Sequence, residues 1–447
     1  MKFDAQRYMY PSRRTVVFGN RGMVATGQPL AAQAGLDTIK KGGNAIDAAI
    51  ATAACLTVVE PTSNGIGGDN FALVWVKDKL HGLNSSGYSP KAADAAALAA
   101  AGHKDMPKYG WHAVTVPGAP AGWAALSKRF GKLPLTEVLK PAVGYAEEGY
   151  PVSPTMAKLW GKAFANYTKE CKGDEFRHWF DTFAPEGRAP RAGEVWRSPG
   201  HARTLSLIAE SGAEAFYRGV LAEKIDAFAK KHGGWLSAGD LAEFQAEWVE
   251  PITVGYRGYD VWEIPPNGHG ITALMALNII GGWEFSGARE YEETWHRQIE
   301  AMKLAFVDAM RYVADPRFMK YTPAELLSKT YAAERRALIG GTALAPVHGT
   351  PSKAGTVYLA TADADGNMVS MIQSNYMGFG SGLVVPEAGI ALHNRGNNFT
   401  LDPEHANVLA PRKKPYHTII PGFLSKDGKA VGPFGVMGGF MQPQGHV

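Results

Sequence analysis

The chain has 447 residues, 45% of them hydrophobic and 20% charged, with a formal net charge of +4. Such a mix suits a soluble globular protein with a sizeable core, and the positive charges form no blocks, so nucleic-acid and membrane partners gain no support. The two cysteines, Cys55 and Cys171, lie far apart; this argues against a disulfide framework and fits a reducing compartment. The opening segment, MKFDAQRYMYPSRRTVVFGNRG, has charges but no apolar h-region, so no secretory signal is expected. No apolar run approaches the roughly eighteen residues of a membrane span, and the cytoplasm is the expected location. Residues 29–41 read as a helix with Pro29 in its first turn and Gly42 as its stop. NAIDAAIATAACLTVV reads as a second helix capped by Asn44, with alanines that allow close packing on a sheet. The glycine loop EPTSNGIGGDN leads into a strand, FALVWV, and the turn KDK into another around HGLNSSG.

From about 119 to 250 the pattern is mostly helical. EPITVGYRGYDVWEIPP reads as a strand pair followed by the apolar helix ITALMALNII, and apolar spacing of three and four predicts a long helix across residues 291–318. A further helix opens at Thr322 and Pro323. The stretch 340–355 is loop by composition. From Thr356 onward the reading is almost entirely strand and turn, with ADGN as a hairpin turn and GLVVPEAGIALHN as further strands. Antiparallel hairpins flanked by helices favour a layered α+β architecture.

The familiar chemical signatures are missing: there is no HExxH, CxxC or GxSxG among the 13 histidines and two cysteines. GIGGDN and GFGSG precede strands rather than helices, the wrong order for a nucleotide loop. The remaining candidate is Gly355-Thr356, where a loop delivers a threonine to the first position of a strand. A threonine hydroxyl becomes a competent nucleophile when a base lies beside it, and its own α-amine is one such base. That amine exists only if the preceding peptide bond is cut, and a free α-amine has a pKa of roughly 7.7–8.0. On the local pattern, an ordinary strand threonine remains the plain alternative.

Several long segments, in order, carry a resemblance. GGNAIDAAIATAACLTVVEPTSNGIGGDNFALVW, GGWLSAGDLAEFQAEWVEPITVGYRGYDVWEIPP, YVADPRF, GTVYLATADADGN and GFGSGLVVPEAGIALHN are similar to segments of the γ-glutamyltransferase family. Its members are N-terminal nucleophile hydrolases that cut themselves into two subunits. The resemblance implies a four-layer αββα sandwich, made by one chain as a single domain from a large segment, 1–355, and a small one, 356–447. It implies cleavage between Gly355 and Thr356, with Thr356 as nucleophile and its amine as base. Ser374 falls where the family places a second hydroxyl bonded to the nucleophile. GVMGGF resembles the family's Gly-Gly loop, so the N–H groups of Gly438 and Gly439 are expected to face the oxyanion. No metal or organic cofactor is expected, and a small-molecule amide is the expected partner. The two segments are expected to stay associated after cleavage, with homo-oligomerisation left open.

The substrate positions depart from the family. The arginine that holds a γ-glutamyl α-carboxylate is absent from NSSGYSP, where Ser86 and Tyr88 stand instead. The family's polar trio aligns with Tyr376, Arg395 and Asn398, so a neutral amide replaces the acidic partner of an ammonium group. The paired serines become His417 and Thr418. Loss of a charged partner in a buried site costs about 1.5–3 kcal/mol, so glutathione is expected to bind poorly. Arg395 is expected to anchor another acidic group, a glutaryl or oxamate-like acid, in a bidentate pair. The sequence is similar to the signal-less branch that includes cephalosporin acylases and oxamate amidohydrolase. Family chains continue beyond the Gly-Gly loop, so a shortened C-terminus is expected. A non-catalytic scaffold relative, and a transferase using γ-glutamyl donors through a rearranged pocket, stand as alternatives.

Overall fold

The computed structural model describes residues 17–285, 291–345 and 357–447. Gly355 and Thr356, the expected cleavage pair, lie outside the described residues. In chain order the main elements begin with β1 (Gly22–Thr26), α1 (Pro29–Lys40), α2 (Ala45–Val59), β2 (Asp69–Val76) and β3 (Lys79–Ser85). A helical stretch follows, with α3 (Ala119–Phe130), α4 (Leu135–Glu148), α5 (Pro154–Glu170), α6 (Pro199–Ser211) and α7 (Val220–Lys231). Next come β4 (Glu247–Val249), β5 (Ile252–Tyr256), β6 (Tyr259–Glu263), α8 (Gly270–Ile280), α9 (Glu292–Tyr312) and α10 (Lys329–Ala337). The last main elements are β7 (Val357–Asp363), β8 (Met368–Ser374), β9 (Gly422–Lys426) and β10 (Lys429–Phe434).

The strands form a six-stranded sheet in the order β1-β7-β8-β2-β3-β4 and a four-stranded sheet in the order β10-β9-β6-β5. Alternation along the strands explains how the sheets stack. Phe71, Leu73 and Trp75 of β2 join Ile372 of β8 and Phe423 of β9 in one buried cluster between the sheets, where the Trp75 and Phe423 rings stack at 5.7 Å. The residues between them, Ala72 and Val74, face the opposite way and join the core with α2. On the outer face of the second sheet, α8 and α9 pack through Leu274, Leu277, Ala301 and Leu304 against Val254 and Val261. The result is the αββα sandwich.

Local chemistry accounts for the key elements. Asn44 and Asp47 form a reciprocal capping box at the start of α2, and the Asp47 carboxylate also accepts the backbone N–H groups of Lys132 and Leu133. All of α2 is buried; its alanines and Gly35 of α1 permit the close crossing, since a Cβ at Gly35 would lie 2.3 Å from Thr52 Oγ1. The β2–β3 turn holds Lys77 and Asp78 at positive φ, the conformation a tight hairpin demands.

Two expectations need correction. GLVVPEAGIALHN forms only the two-residue strands Val384–Val385 and Ile390–Ala391, because Gly382, Glu387 and Gly389 at positive φ break the ladder. The long helix ends at Tyr312, where Asp315 caps a short turn begun by Pro316. The helix expected at Thr322 does open there, Thr322 capping the single turn Pro323–Leu326, and Ser328 then caps α10. Among the described residues no helix is long and apolar enough to cross a membrane.

Candidate active site

The first described residue of β7, Val357, is fully buried and lies opposite Gln373 of β8. One position further along β8, Ser374 lies opposite Asp69, the first residue of β2. The Ser374 hydroxyl oxygen accepts the Tyr376 N–H at 2.7 Å. Tyr376 holds a positive φ of 74°, unusual for a residue with a side chain, and its ring lies 4.6 Å from the Arg395 guanidinium carbon.

Asp69 is the hub of the site. Its Oδ2 accepts Arg395 Nε at 3.1 Å, His393 Nδ1 at 3.0 Å and His417 Nε2 at 2.9 Å, and all four side chains are fully buried. Burial alone would raise the Asp69 carboxyl; the His393 and His417 rings outweigh it and hold the group well below the usual carboxylate range. Burial, then the neighbouring Arg395 charge, pushes His417 down to about 3, so its ring is neutral at physiological pH. The neutral ring donates from Nε2 to Asp69 and accepts the Ile419 N–H at Nδ1, 3.4 Å away. Both nitrogens are thereby engaged within the protein.

Arg395 is similarly committed on one edge. Nε binds Asp69 and Nη1 binds Thr418 Oγ1 at 2.7 Å. Only Nη2 remains without a partner. Burial lowers the guanidinium from its ordinary value, with Asp69 opposing that shift, and arginine stays charged at any accessible pH. The bidentate fork expected from the sequence is thus already occupied along Nε and Nη1, and an incoming carboxylate would meet one nitrogen.

Thr115, His393 and Asp69 have the look of a hydroxyl–imidazole–carboxylate triad, with Thr115 Oγ1 3.1 Å from His393 Nε2. The Thr115 carbonyl is nearer to the same nitrogen, at 2.9 Å. A carbonyl accepts only, so Nε2 donates there and cannot take up the hydroxyl proton. The group braces the fold.

The other candidates divide. Ser86 donates to Asn84 Oδ1 at 2.8 Å, Asn84 donates to Asn267 Oδ1 at 2.9 Å, and Asn267 accepts the His417 N–H through its backbone oxygen at 3.0 Å. This chain joins Ser86 to the hub. Tyr88 turns elsewhere, donating to the Asp240 carbonyl at 3.0 Å. Asn398 lies on the same short turn as Arg395, with its side-chain Nδ2 buried and unpartnered. Gly438 and Gly439 have φ of +130° and +59°. Their loop lies against the start of β7: a Cβ at Gly435 would meet the Tyr358 ring at 2.4 Å.

Sequence reasoning missed Asp69, His393 and His269. His269, fully buried at the start of α8, donates its backbone N–H to the His417 carbonyl. Its ring lies against Tyr416 and Phe440. Burial, with the neighbouring Arg395 charge adding to it, pushes it well below the ordinary histidine range. The glycine loop also finds its explanation. Gly67 O accepts the His393 N–H at 3.1 Å, and a Cβ at Gly67 would lie 2.4 Å from Ala391 O. The glycines bring two backbones together. Among the described residues no group of three His, Cys, Asp or Glu side chains could hold a metal ion.

The mixed helix and sheet architecture matches that of the N-terminal nucleophile hydrolases, an enzymatic class. Within it, the chain belongs to the gamma-glutamyltranspeptidase family, whose profile matches residues 31–447. The cephalosporin acylase from Bacillus halodurans is 63% identical, with a TM-score of 0.95 over 100% of this chain and 82% of that one. The glutathione hydrolase-like YwrD proenzyme of Bacillus subtilis is 39% identical over 96% of this chain and 81% of its own. The oxamate amidohydrolase proenzyme of Klebsiella pneumoniae is 34% identical over 95% and 80%. The protein is an enzyme of this family of hydrolases and acylases made as proenzymes.

Proposed function

We propose that the protein is a self-cleaving amide hydrolase whose acyl donor ends in a carboxylate and carries no α-ammonium group, as in a glutaryl or oxamate-like amide. The observation that carries this reading is the state of the charges at the hub. Asp69, the carboxylate beside Arg395, already takes three donors on Oδ2, so its charge is committed to the protein's own side chains rather than to an ammonium group. Arg395 keeps Nη2 unpartnered in a fully buried setting, and such a donor calls for an acceptor. The names of the acylase and amidohydrolase relatives agree with this choice.

The proposed chemistry begins with Thr356 Oγ attacking the Gly355 carbonyl: the acyl group passes from N to Oγ, the hydroxyl proton goes to the freed Thr356 amine, and water then hydrolyses the ester, leaving a Gly355 carboxylate and a free Thr356 hydroxyl. In the mature enzyme that amine takes the hydroxyl proton as Oγ attacks the substrate amide carbon. The N–H groups of Gly438 and Gly439 stabilise the oxyanion, and Ser374 steadies the nucleophile. Collapse expels the amine product with the transferred proton and leaves an ester on Thr356, which water or an acceptor amine then cleaves. The segments 1–355 and 356–447 remain associated throughout.

The test has two parts. Sequencing of the smaller band on a denaturing gel should give TVYLA. A panel of 4-nitroanilides should rank glutaryl above γ-glutamyl in kcat/KM by about tenfold or more, the scale of one unmatched buried charge. A γ-glutamyl preference would refute the assignment.

A further inference from the structure

The hub raises a question that the proposed chemistry does not answer: why a buried acid should share a pocket with the arginine meant for an acidic substrate. We infer that Asp69 is a positioning residue for acyl recognition, fixing Arg395 through Nε so that Nη2 alone is presented to the acyl carboxylate. The inference rests on the acyl reading above and assigns the residue that makes it work.

Three observations support it. First, the contacts are directional and converge on a single atom. Arg395 Nε, His393 Nδ1 and His417 Nε2 all reach Asp69 Oδ2 within 3.1 Å, whereas Oδ1 receives only the Gly87 N–H at 3.4 Å. Second, these donors come from two separate segments, so Asp69 locks residues 393–395 to the 417–418 segment. Thr418 and the Tyr376 ring then hold the other sides of the guanidinium. Third, the Asp69 carboxylate lowers the positive potential around Arg395. It therefore works against charge attraction for an entering carboxylate, and what it adds is the direction of an N–H group.

That last point fixes the sign of the test. If net charge recruited the substrate, removal of the Asp69 charge would sharpen selectivity for an acid. If direction recruits it, removal blunts selectivity although Arg395 keeps its charge. The quantity to measure is the ratio of kcat/KM for glutaryl-4-nitroanilide to that for its isostere with a terminal carboxamide. Arg395→Gln should lower the ratio by about tenfold or more, the worth of one charge-assisted hydrogen bond. Asp69→Asn should lower it by a similar factor, mainly through KM of the acid, and the double variant should fall no further than either single one. A ratio unchanged or raised in Asp69→Asn overturns the inference if Arg395→Gln has lowered it. An unchanged ratio in Arg395→Gln overturns the acyl reading itself, and the inference with it. Should Asp69→Asn yield no folded protein, the double variant decides. Its recovery shows that the orphaned Arg395 charge was the fault and supports the inference, whereas failure of both shows that Asp69 serves the fold and overturns it.

Discussion

Replacement of Gly67 by alanine tests whether the glycine loop positions the site. A Cβ there would lie 2.4 Å from Ala391 O and 3.1 Å from Ile390 Cγ2. Ordinary carbon contacts settle near 3.5 Å, so the loop and the 390–393 segment must part by about 1 Å. Such overpacking costs about 1–3 kcal/mol. With an unfolding entropy of about 2.1 cal/mol/K per residue, the midpoint of a chain this long should fall by only about 1–3 °C. The effect on catalysis should be far larger. His393 hangs from Gly67 O through its backbone N–H, and Arg395 follows two residues on. A displacement of about 1 Å at a substrate-positioning group can cost about 10²-fold in rate. The assay is kcat/KM for the preferred acidic anilide on cleaved protein, alongside calorimetry. Gly144→Ala is the control: it sits inside α4 with nothing within 4 Å of the added Cβ, and alanine should stabilise the helix by about 0.5–1 kcal/mol at unchanged activity. If Gly67→Ala keeps wild-type kcat/KM, the loop does not position the site.

Other outcomes follow from the same geometry. Thr356→Ala should stay one band on a denaturing gel and hydrolyse no amide, whereas Thr356→Ser should cleave; wild-type turnover by the alanine variant would remove the nucleophile assignment. Gly438→Ala places a side chain at φ +130°, which costs about 1–3 kcal/mol of strain. In matured enzyme it should lower kcat by about 10²–10³ with a smaller change in KM; kcat within twofold of wild type would leave the oxyanion role unsupported. His201 is buried, with Nδ1 2.6 Å from Ser198 Oγ, and burial pushes its pKa down to about 4. Between that value and the unfolded value of about 6.5, the unfolded chain binds a proton that the folded ring refuses. Acidification across this window therefore costs the folded state about 1.4 kcal/mol per pH unit at this residue. Denaturant titrations of His201→Gln should show a pH slope shallower by that amount, and equal slopes would refute the neutral assignment.

The elements most legible in sequence were those fixed by local chemistry. The Asn44 cap, Pro29 in the first turn of α1 and the ADGN hairpin each have a cause within four residues, and each element forms where expected. GLVVPEAGIALHN failed because it is buried at almost every position. Its apolar residues do not mark one face of a strand, and tertiary contacts override the alternation. The site was legible only through the resemblance, and then only at positions the resemblance named. Asp69 follows a glycine loop at the first position of β2 with no motif of its own, and its partners lie 324, 326 and 348 residues away. No spacing rule links such residues; the backbone bridge between Gly67 and Leu392 brings the 393–395 segment to Asp69. Arg395 was named from the sequence, but the commitment of its Nε and Nη1 depends on Asp69 and Thr418 and could not be read from its own neighbourhood.

The order of strands in the larger sheet has a consequence for recovery after unfolding. β7 is flanked by β1 and β8, and β8 in turn by β2, so chain from either side of residue 356 is interlaced in one sheet. Once cut there, a molecule pulled apart by denaturant becomes two polypeptides that must find each other again. Renaturation yield of the cut form should therefore climb with protein concentration, while the uncut precursor returns as one chain at any dilution.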